Sequence, residues 1–304
     1  MIYTCTLNPS IDYIMHVDSF ESGGLNRAEQ TFFYPGGKGI NVSRVVGRLG
    51  VKSRALGFIG GFSGDFINDF LDQEGVQHAF INTGQKTRVN VKLKSGDETE
   101  INGPGPALSE EMQQSLLNQI QELNSNDILV LAGSVPSSLP EDYYEQITNI
   151  CRRNHTKVVL DTSGEALEQI LGQPLFLMKP NHHELGDLFN VEIRTPEDAA
   201  LYGKKLVERG VENVIVSMGG RGAVYVGRDE QWYANVPKGT VKNSVGAGDS
   251  VVAGFLAAYT EGKSMTEAFR FGVASGSATA FQDDLCQQED VLQLLKQINV
   301  SPIQ

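Results

Sequence analysis

Short continuous apolar runs recur along the chain, at Ile2–Leu7, Arg54–Ile59, Asp127–Leu131, Lys157–Leu160, Leu175–Met178 and Val214–Ser217. Runs of this length and composition predict strands buried on both faces. Stripes at helical spacing lie between them: Val42, Val45, Val46 and Leu49; Phe66, Phe70 and Leu71; Met112, Leu116, Ile120 and Leu123. Further helices are expected over 247–259, 264–281 and 289–298, and a hairpin from Gly222 to Tyr233. Such alternation predicts an α/β fold with a mostly parallel sheet covered on both sides.

One stretch breaks the pattern. From Thr87 to Leu93, Val89, Val91 and Leu93 alternate with Arg88, Asn90 and Lys92, the mark of a half-exposed strand. Gly96-Asp97 turns it into a second strand, Thr99–Ile101, and the residues flanking Glu29–Tyr34 read similarly. A small antiparallel flap on the main layer is expected, with its strands inserted at roughly 10–35 and 85–103 of one domain spanning 1–304. Ser138 with Glu141, and Ser264 with Glu267, have the spacing of capping boxes, and Thr195-Pro196 opens another helix.

A net charge of −12 argues against a non-specific nucleic-acid or anionic-membrane binder. An anionic small molecule would have to be met by locally placed cations and backbone amides. Cys5, Cys151 and Cys286 are too scattered for a disulfide framework or a zinc site. The start, MIYTCTLNPS, lacks a basic segment and does not read as a signal peptide, and no apolar run approaches membrane-spanning length. A reducing cytoplasm is the expected setting.

The 33 glycines cluster at 36–39, 60–64, 219–222 and 246–248. Neither a Walker loop nor a complete dinucleotide fingerprint is among these clusters. Ser244-Val245-Gly246-Ala247-Gly248-Asp249-Ser250 leads directly into the run VVAGFLAAY. A loop stripped of side chains at a helix start exposes amides to an anion, and Asp249 sits beside them. A lone aspartate there caps the helix; the glycines before it fit a carboxylate that accepts a proton while the amides hold a phosphoryl group. Tyr34-Pro35-Gly36-Gly37-Lys38-Gly39-Ile40-Asn41 also opens a helix, either as a tight turn with an exposed lysine or as a phosphate and hydroxyl contact. In Lys179-Pro180-Asn181-His182-His183-Glu184, Asn181 and Glu184 fall on one helical face and suit a hydrated Mg²⁺, whereas the two histidines read as surface residues. Ser217-Met218-Gly219-Gly220-Arg221-Gly222 is a hairpin turn or a nucleotide contact at the sheet edge.

Taken in order, PGGKGIN, GSVP at Gly133–Pro136, KPNHHE, SMGGRGA and SVGAGDS resemble the pfkB, or ribokinase-like, carbohydrate kinases over nearly the whole chain. The resemblance implies a three-layer α/β core with a β-sheet lid, ATP and Mg²⁺ as cofactors, and phosphate transfer to a primary hydroxyl. Within the family, TLNPSID, Lys38, TRVNVK at 87–92 and LDTSGEAL at 160–167 are similar to the branch acting on ketose monophosphates. By position, Asp249 would be the base, and the amides of Gly246, Ala247 and Gly248 an anion hole. Asp12, Gly37 and Asn41 would meet sugar hydroxyls, and Lys38 and Arg88 the phosphate already present, with Asn90, Ser134 and Arg27 nearby. Lys179, Asn181, Ser217, Gly219, Gly222, Gly248, Val273 and Ser277 would line the nucleotide site, with Glu184 acting on Mg²⁺ through water. Asn243 departs from the family's small hydroxyl residue and is expected to tune the nucleotide fit.

The implied reaction is phosphorylation of D-fructose 1-phosphate at C6, giving the 1,6-bisphosphate. A tagatose-6-phosphate kinase and a catalytically silent sugar-phosphate sensor are the alternatives. Lys92 shares a strand face with Arg88 and reads as a solvated edge residue. Exposed Val89, Val91 and Phe32 lead us to expect a homodimer formed through the lid.

Overall fold

In the strand Ile128–Ala132 every residue is buried, and successive side chains enter different cores. Leu129 and Leu131 pack with Leu116, Tyr143 and Ile147, while Ile128, Val130 and Ala132 pack with Val42, Val45 and Phe255. A two-residue period inside a continuous apolar run has this consequence: the strand must be covered on both faces. The computed structural model, which describes residues 1–162 and 164–303, has such a layered arrangement throughout. Ser163 of the LDTSGEAL motif lies outside the described residues.

Among the described residues the main sheet has eleven strands. From one edge they run Val300–Pro302, Gln231–Ala234, Ala223–Val226, Val211–Ser217, Leu175–Met178, Lys157–Asp161, Ile128–Ala132, Ile2–Thr6 and Ser53–Ile59, ending at the short Gln77–His78, with Ile81–Asn82 also paired to Ser53–Ile59. The pairings from Ser53–Ile59 to Val211–Ser217 are parallel. The hairpin 223–234 and the closing strand Val300–Pro302, which sequence patterning did not reveal, add antiparallel edges. A three-residue strand carries too little pattern to be read.

Helix starts follow local chemistry where the cap geometry is made. Thr195 and Asp198 form a capping box with Pro196 just inside, and Ser264 accepts the amide of Glu267. The expected box at Ser138 does not form: Leu139 and Tyr143 close turns onto Pro136 and Pro140, Ser138 Oγ donates to Pro106 O, and the helix begins only at Tyr143. Pro140 biases the residue before it away from helical geometry, which delays the start. The helix Gly61–Gln73 conversely begins five residues ahead of the first stripe residue, Phe66, with glycine at its N-cap.

Ser10–His16, Gln30–Gly36, Arg88–Ser95 and Asp97–Ile101 form a separate four-stranded sheet. Its outer pairs are antiparallel, as expected of a flap. The central pair, Ser10–His16 with Arg88–Ser95, is parallel. The chain enters this sheet twice, and both entering strands leave the core in the same direction. Register places Ser10, Gly36 and Arg88 in one row, so three of the four connections to the core lie at that end. Phe32 shares its row with Ile14 and Lys92, while Phe33 shares its row with Tyr13 and Val91. The exposed apolar face therefore carries Phe33, and not Phe32, beside Val89 and Ile101.

The helix Ala247–Thr260 is clamped against Met265–Ala280. A methyl group at Gly272 would stand 2.7 Å from Val251 O, so the two helices approach as closely as only glycine permits.

Candidate active site

The carboxyl ends of five parallel strands converge on one polar cavity of about 840 Å³. Thr6, Ser134, Asp161, Lys179 and Ser217 reach it from the ends of these strands or just beyond, as expected for open α/β sheets. Asp12, Arg88 and Asn90 enter from the small sheet, Lys38 and Asn41 from the helix Lys38–Arg48, and Gly246, Gly248 and Asp249 from the start of Ala247–Thr260. Gly37 and Glu184 also line it.

A second cleft of about 620 Å³ adjoins it. Its lining is mainly apolar, with Val236, Val241, Val251, Val273, Ala280 and Phe281, together with Gly219, Gly222, Ala247 and Ser277. Asn181, Ser217, Ser244 and Gly248 border both spaces, so the two meet at the glycine loop. Every residue proposed above for the acceptor, the base or the nucleotide lines one cavity or the other, except Asn243 and the exposed Arg27, which line neither.

Asp249 is 5% exposed and accepts a 2.8 Å hydrogen bond from Asn41 Nδ2. Burial, then the neighbouring Asp161 carboxylate, push its pKa up to about 6, against the pull of Lys38, Asn41 and Lys179. Gly246 precedes the helix at φ 76°, and a side chain there would collide with Leu285. The first-turn amides of Gly248 and Asp249 have no intrahelical acceptor, whereas Ala247 N is already used by Ser244 O at 3.2 Å. Lys179 Nζ lies 3.1 Å from where a Gly248 Cβ would stand. The loop is bare because a lysine lies against it.

On the opposite wall, Asp12 Oδ1 accepts from Ser10 Oγ at 2.8 Å and from Asn90 Nδ2 at 3.2 Å. Arg88 donates through Nε and Nη2 to Asn8 O, at 3.2 and 3.0 Å, which fixes the guanidinium plane. Burial holds its pKa below the usual value, partly offset by Asp12. Asn8 also donates to Ser134 Oγ at 3.4 Å.

Asn181 and Glu184 form a complete capping box. Asn181 Oδ1 accepts the amides of His183 and Glu184, and Glu184 Oε2 accepts Asn181 N at 2.8 Å. Among the described residues no cluster of three His, Cys, Asp or Glu side chains could cage a metal ion. The oxygens present would suit only a hydrated Mg²⁺ carried mainly on phosphates.

Three sequence readings are corrected. Lys92 is not a solvated edge residue: it is 7% exposed, lines the polar cavity, and stands 3.6 Å from Asp12 and 3.5 Å from Glu100. His182 is half-buried at the apolar cleft with its ring tilted against that of the exposed His183, so only His183 is a surface residue. Asn243 does not line the cleft; it accepts Val245 N and donates to Asp283 O, shaping the loop before the glycines.

Asp161 was missed as a site residue. It is 1% exposed, 2.9 Å from Lys38 Nζ and 3.4 Å from Lys179 Nζ. Burial raises its pKa, but Lys179 and Lys38 more than compensate and hold it below the ordinary carboxylate value. Burial would lower the pKa of Lys38, yet Asp161 and then Asp249 raise it above that of an ordinary lysine. The available signal was a charged residue closing the apolar run VVLD at the carboxyl edge of a parallel strand.

Comparison with known proteins agrees with this geometry. Residues 5–290 match the pfkB family of carbohydrate kinases. The chain belongs to that family. It is 56% identical to a 1-phosphofructokinase of Bacillus subtilis, over 99% of each chain. It is 35% identical to a D-tagatose-1-phosphate kinase of Bacillus licheniformis, again over 99% of each. Phosphofructokinase-2 from Escherichia coli, solved in complex with substrates and products, superposes with a TM-score of 0.93 at 32% identity, covering 97% of this chain and 98% of that one. As a pfkB kinase the protein transfers phosphate to an alcohol group of a carbohydrate. The ribokinase-like α/β expectation therefore holds for the main sheet and its helices. No helix among the described residues is long and apolar enough to cross a membrane.

Proposed function

We propose that the protein phosphorylates D-fructose 1-phosphate at its C6 hydroxyl, using MgATP, to give D-fructose 1,6-bisphosphate. The observation that carries the reading is the meeting of the two cavities at Gly248, with Asp249 on the polar side and Lys38 and Arg88 facing the space where a second phosphate would lie. The base of ATP occupies the apolar cleft beside Val273 and Ser277, and its phosphates run past Ser217, Gly219, Gly222, Asn181 and Lys179. Glu184, acting through water, would help hold an Mg²⁺ on those phosphates, and the ion would supply charge neutralisation.

Asp12, Asn90, Gly37 and Asn41 hold the sugar hydroxyls, and Ser134 lies beside the phosphate held by Lys38 and Arg88. Asp249 takes the proton of the C6 hydroxyl as that oxygen bonds to the γ-phosphorus and the bond to the bridging oxygen of ADP breaks. The amides at the start of Ala247–Thr260 receive the charge of the moving phosphoryl group. The small sheet acts as a lid over the acceptor and keeps water from competing.

Names of two relatives favour this acceptor: a 1-phosphofructokinase and a D-tagatose-1-phosphate kinase both point to a ketose carrying its phosphate on C1, with C6 free. Tagatose 6-phosphate, which offers C1 instead, is the competing acceptor. A coupled assay comparing fructose 1-phosphate, tagatose 6-phosphate and fructose 6-phosphate by kcat/KM tests the choice. The highest value for fructose 1-phosphate is expected; a higher value for either 6-phosphate would reverse the assignment.

The outer face of the small sheet exposes Phe33 at 48% and Ile101 at 61%, an apolar surface that supports a homodimer formed lid to lid. A monomer in light scattering at micromolar concentration would refute it. The three cysteines are free and buried, which supports a reducing cytoplasmic setting.

A further inference from the structure

Lys38 and Lys179 reach the same space from opposite sides. Lys38 opens the helix Lys38–Arg48 on the acceptor side, while Lys179 follows the strand Leu175–Met178 and lies against the glycine loop. The buried carboxylate of Asp161 contacts both, with Oδ1 2.9 Å from Lys38 and Oδ2 3.4 Å from Lys179, while the Asp249 carboxylate lies further off. Oδ1 takes the hydrogen bond of Lys38, and Oδ2 accepts none from any side chain or amide. Asp161 itself ends a strand paired on both sides, so its backbone cannot follow a moving lysine.

From this arrangement we propose that Asp161 is a positioning residue which holds the two lysine ammonium groups apart, Lys38 for the acceptor's phosphate and Lys179 for the transferring one. The inference rests on the functional reading above. Two ammonium groups this close repel, and without a fixed anion each would swing toward whichever phosphate arrived first. The same carboxylate also opposes the approach of ATP, because it is a buried negative charge near the phosphate path. Asp161 therefore weakens ground-state binding of the nucleotide while keeping the geometry that the transition state needs, a division that favours kcat over affinity.

The variant Asp161→Asn, close in shape and neutral, separates this role from a structural one. With Asp161 acting as proposed, kcat falls by about tenfold or more while the calorimetric Kd for MgATP, measured without acceptor, tightens by about threefold or more. A structural role predicts the opposite sign, weaker MgATP binding together with lost turnover, and that result, or unchanged kcat, would overturn the proposal. If Asp161→Asn does not fold, Asp161→Glu carries the test, since it keeps the charge but displaces both lysines. There kcat is expected to fall with MgATP Kd unchanged, and wild-type turnover would overturn the proposal. If wild-type protein phosphorylates neither fructose 1-phosphate nor tagatose 6-phosphate, the acceptor reading fails, yet the direction of the MgATP shift still decides the role of Asp161.

Discussion

Asn41 and Asp249, 208 positions apart, meet through a 2.8 Å hydrogen bond from the amide of one to the carboxylate of the other. Asn41 lies on the helix that packs against the first core strand, and Asp249 stands in the first turn of the helix that packs against that one in turn. The bond fixes one carboxylate oxygen and leaves the other toward the polar cavity.

Asp249→Asn keeps the shape and the contact with Asn41 but cannot accept a proton. Turnover should fall by about 10²–10⁴-fold, with MgATP affinity changed by less than about threefold. A coupled spectrophotometric assay and calorimetry measure the two quantities. Loss of both together would point to a collapsed site rather than a missing base.

The pKa of about 6 at Asp249 sets an acidic limb. Above it the carboxylate is ionised and active, so kcat/KM should fall with unit slope as pH drops through about 6. For stability the sign is reversed. The folded state holds this proton more tightly than the unfolded chain, so the cost of ionising Asp249 grows as pH rises from the ordinary carboxylate value to about 6. Asp249→Asn should therefore be the more stable protein at pH 7.5, by about 1–2 kcal/mol, and that gain should shrink below pH 5. Thermal unfolding across pH measures it.

Arg88 spends two of its donors on Asn8 O and keeps the rest for the cavity. Arg88→Ala should raise KM for the sugar phosphate by about tenfold or more, with KM for MgATP little changed. Arg88→Lys should rescue little of this, because an ammonium group cannot hold the carbonyl and a phosphate in the same plane. Initial-rate kinetics with each substrate varied separates the two constants.

Arg44 is 1% exposed and pairs with both Glu74 and Asp284, over the ring of Phe70. Arg44→Met removes a buried cation and leaves two carboxylates facing each other. Since both are partly exposed, a loss of about 2–4 kcal/mol is expected in denaturant unfolding. An unchanged midpoint would show that Arg48, which contacts the same two carboxylates, suffices alone.

Asp249 and its loop were readable because a bare glycine segment running into a helix needs few neighbours to be meaningful. Core strands were readable for a similar reason: burial on both faces leaves a local run. Asp161 was not, since its importance lies in lysines 123 and 18 positions away, one on each side of it in space. Lys92 was misread because alternation reports which side chains share a face and says nothing about what covers that face. The parallel pairing inside the small sheet was hidden for the same reason, as Ser10–His16 and Arg88–Ser95 each look like ordinary hairpin strands. Ser138 and Glu141 had the spacing of a cap, but Pro140 between them imposed turns instead.

The small sheet joins the core near its Ser10, Gly36 and Arg88 row, and its far end, around His16, Gln30 and Lys94, has no connection to the core chain. It is built like a diving board. Displacement would grow with distance from the fixed end, so Arg88 on that row, and Asp12 and Asn90 two rows along, would move less than the tip. With the sugar held as proposed, its recognition would fall where the sheet can move least, and any gating of access would be left to the far end.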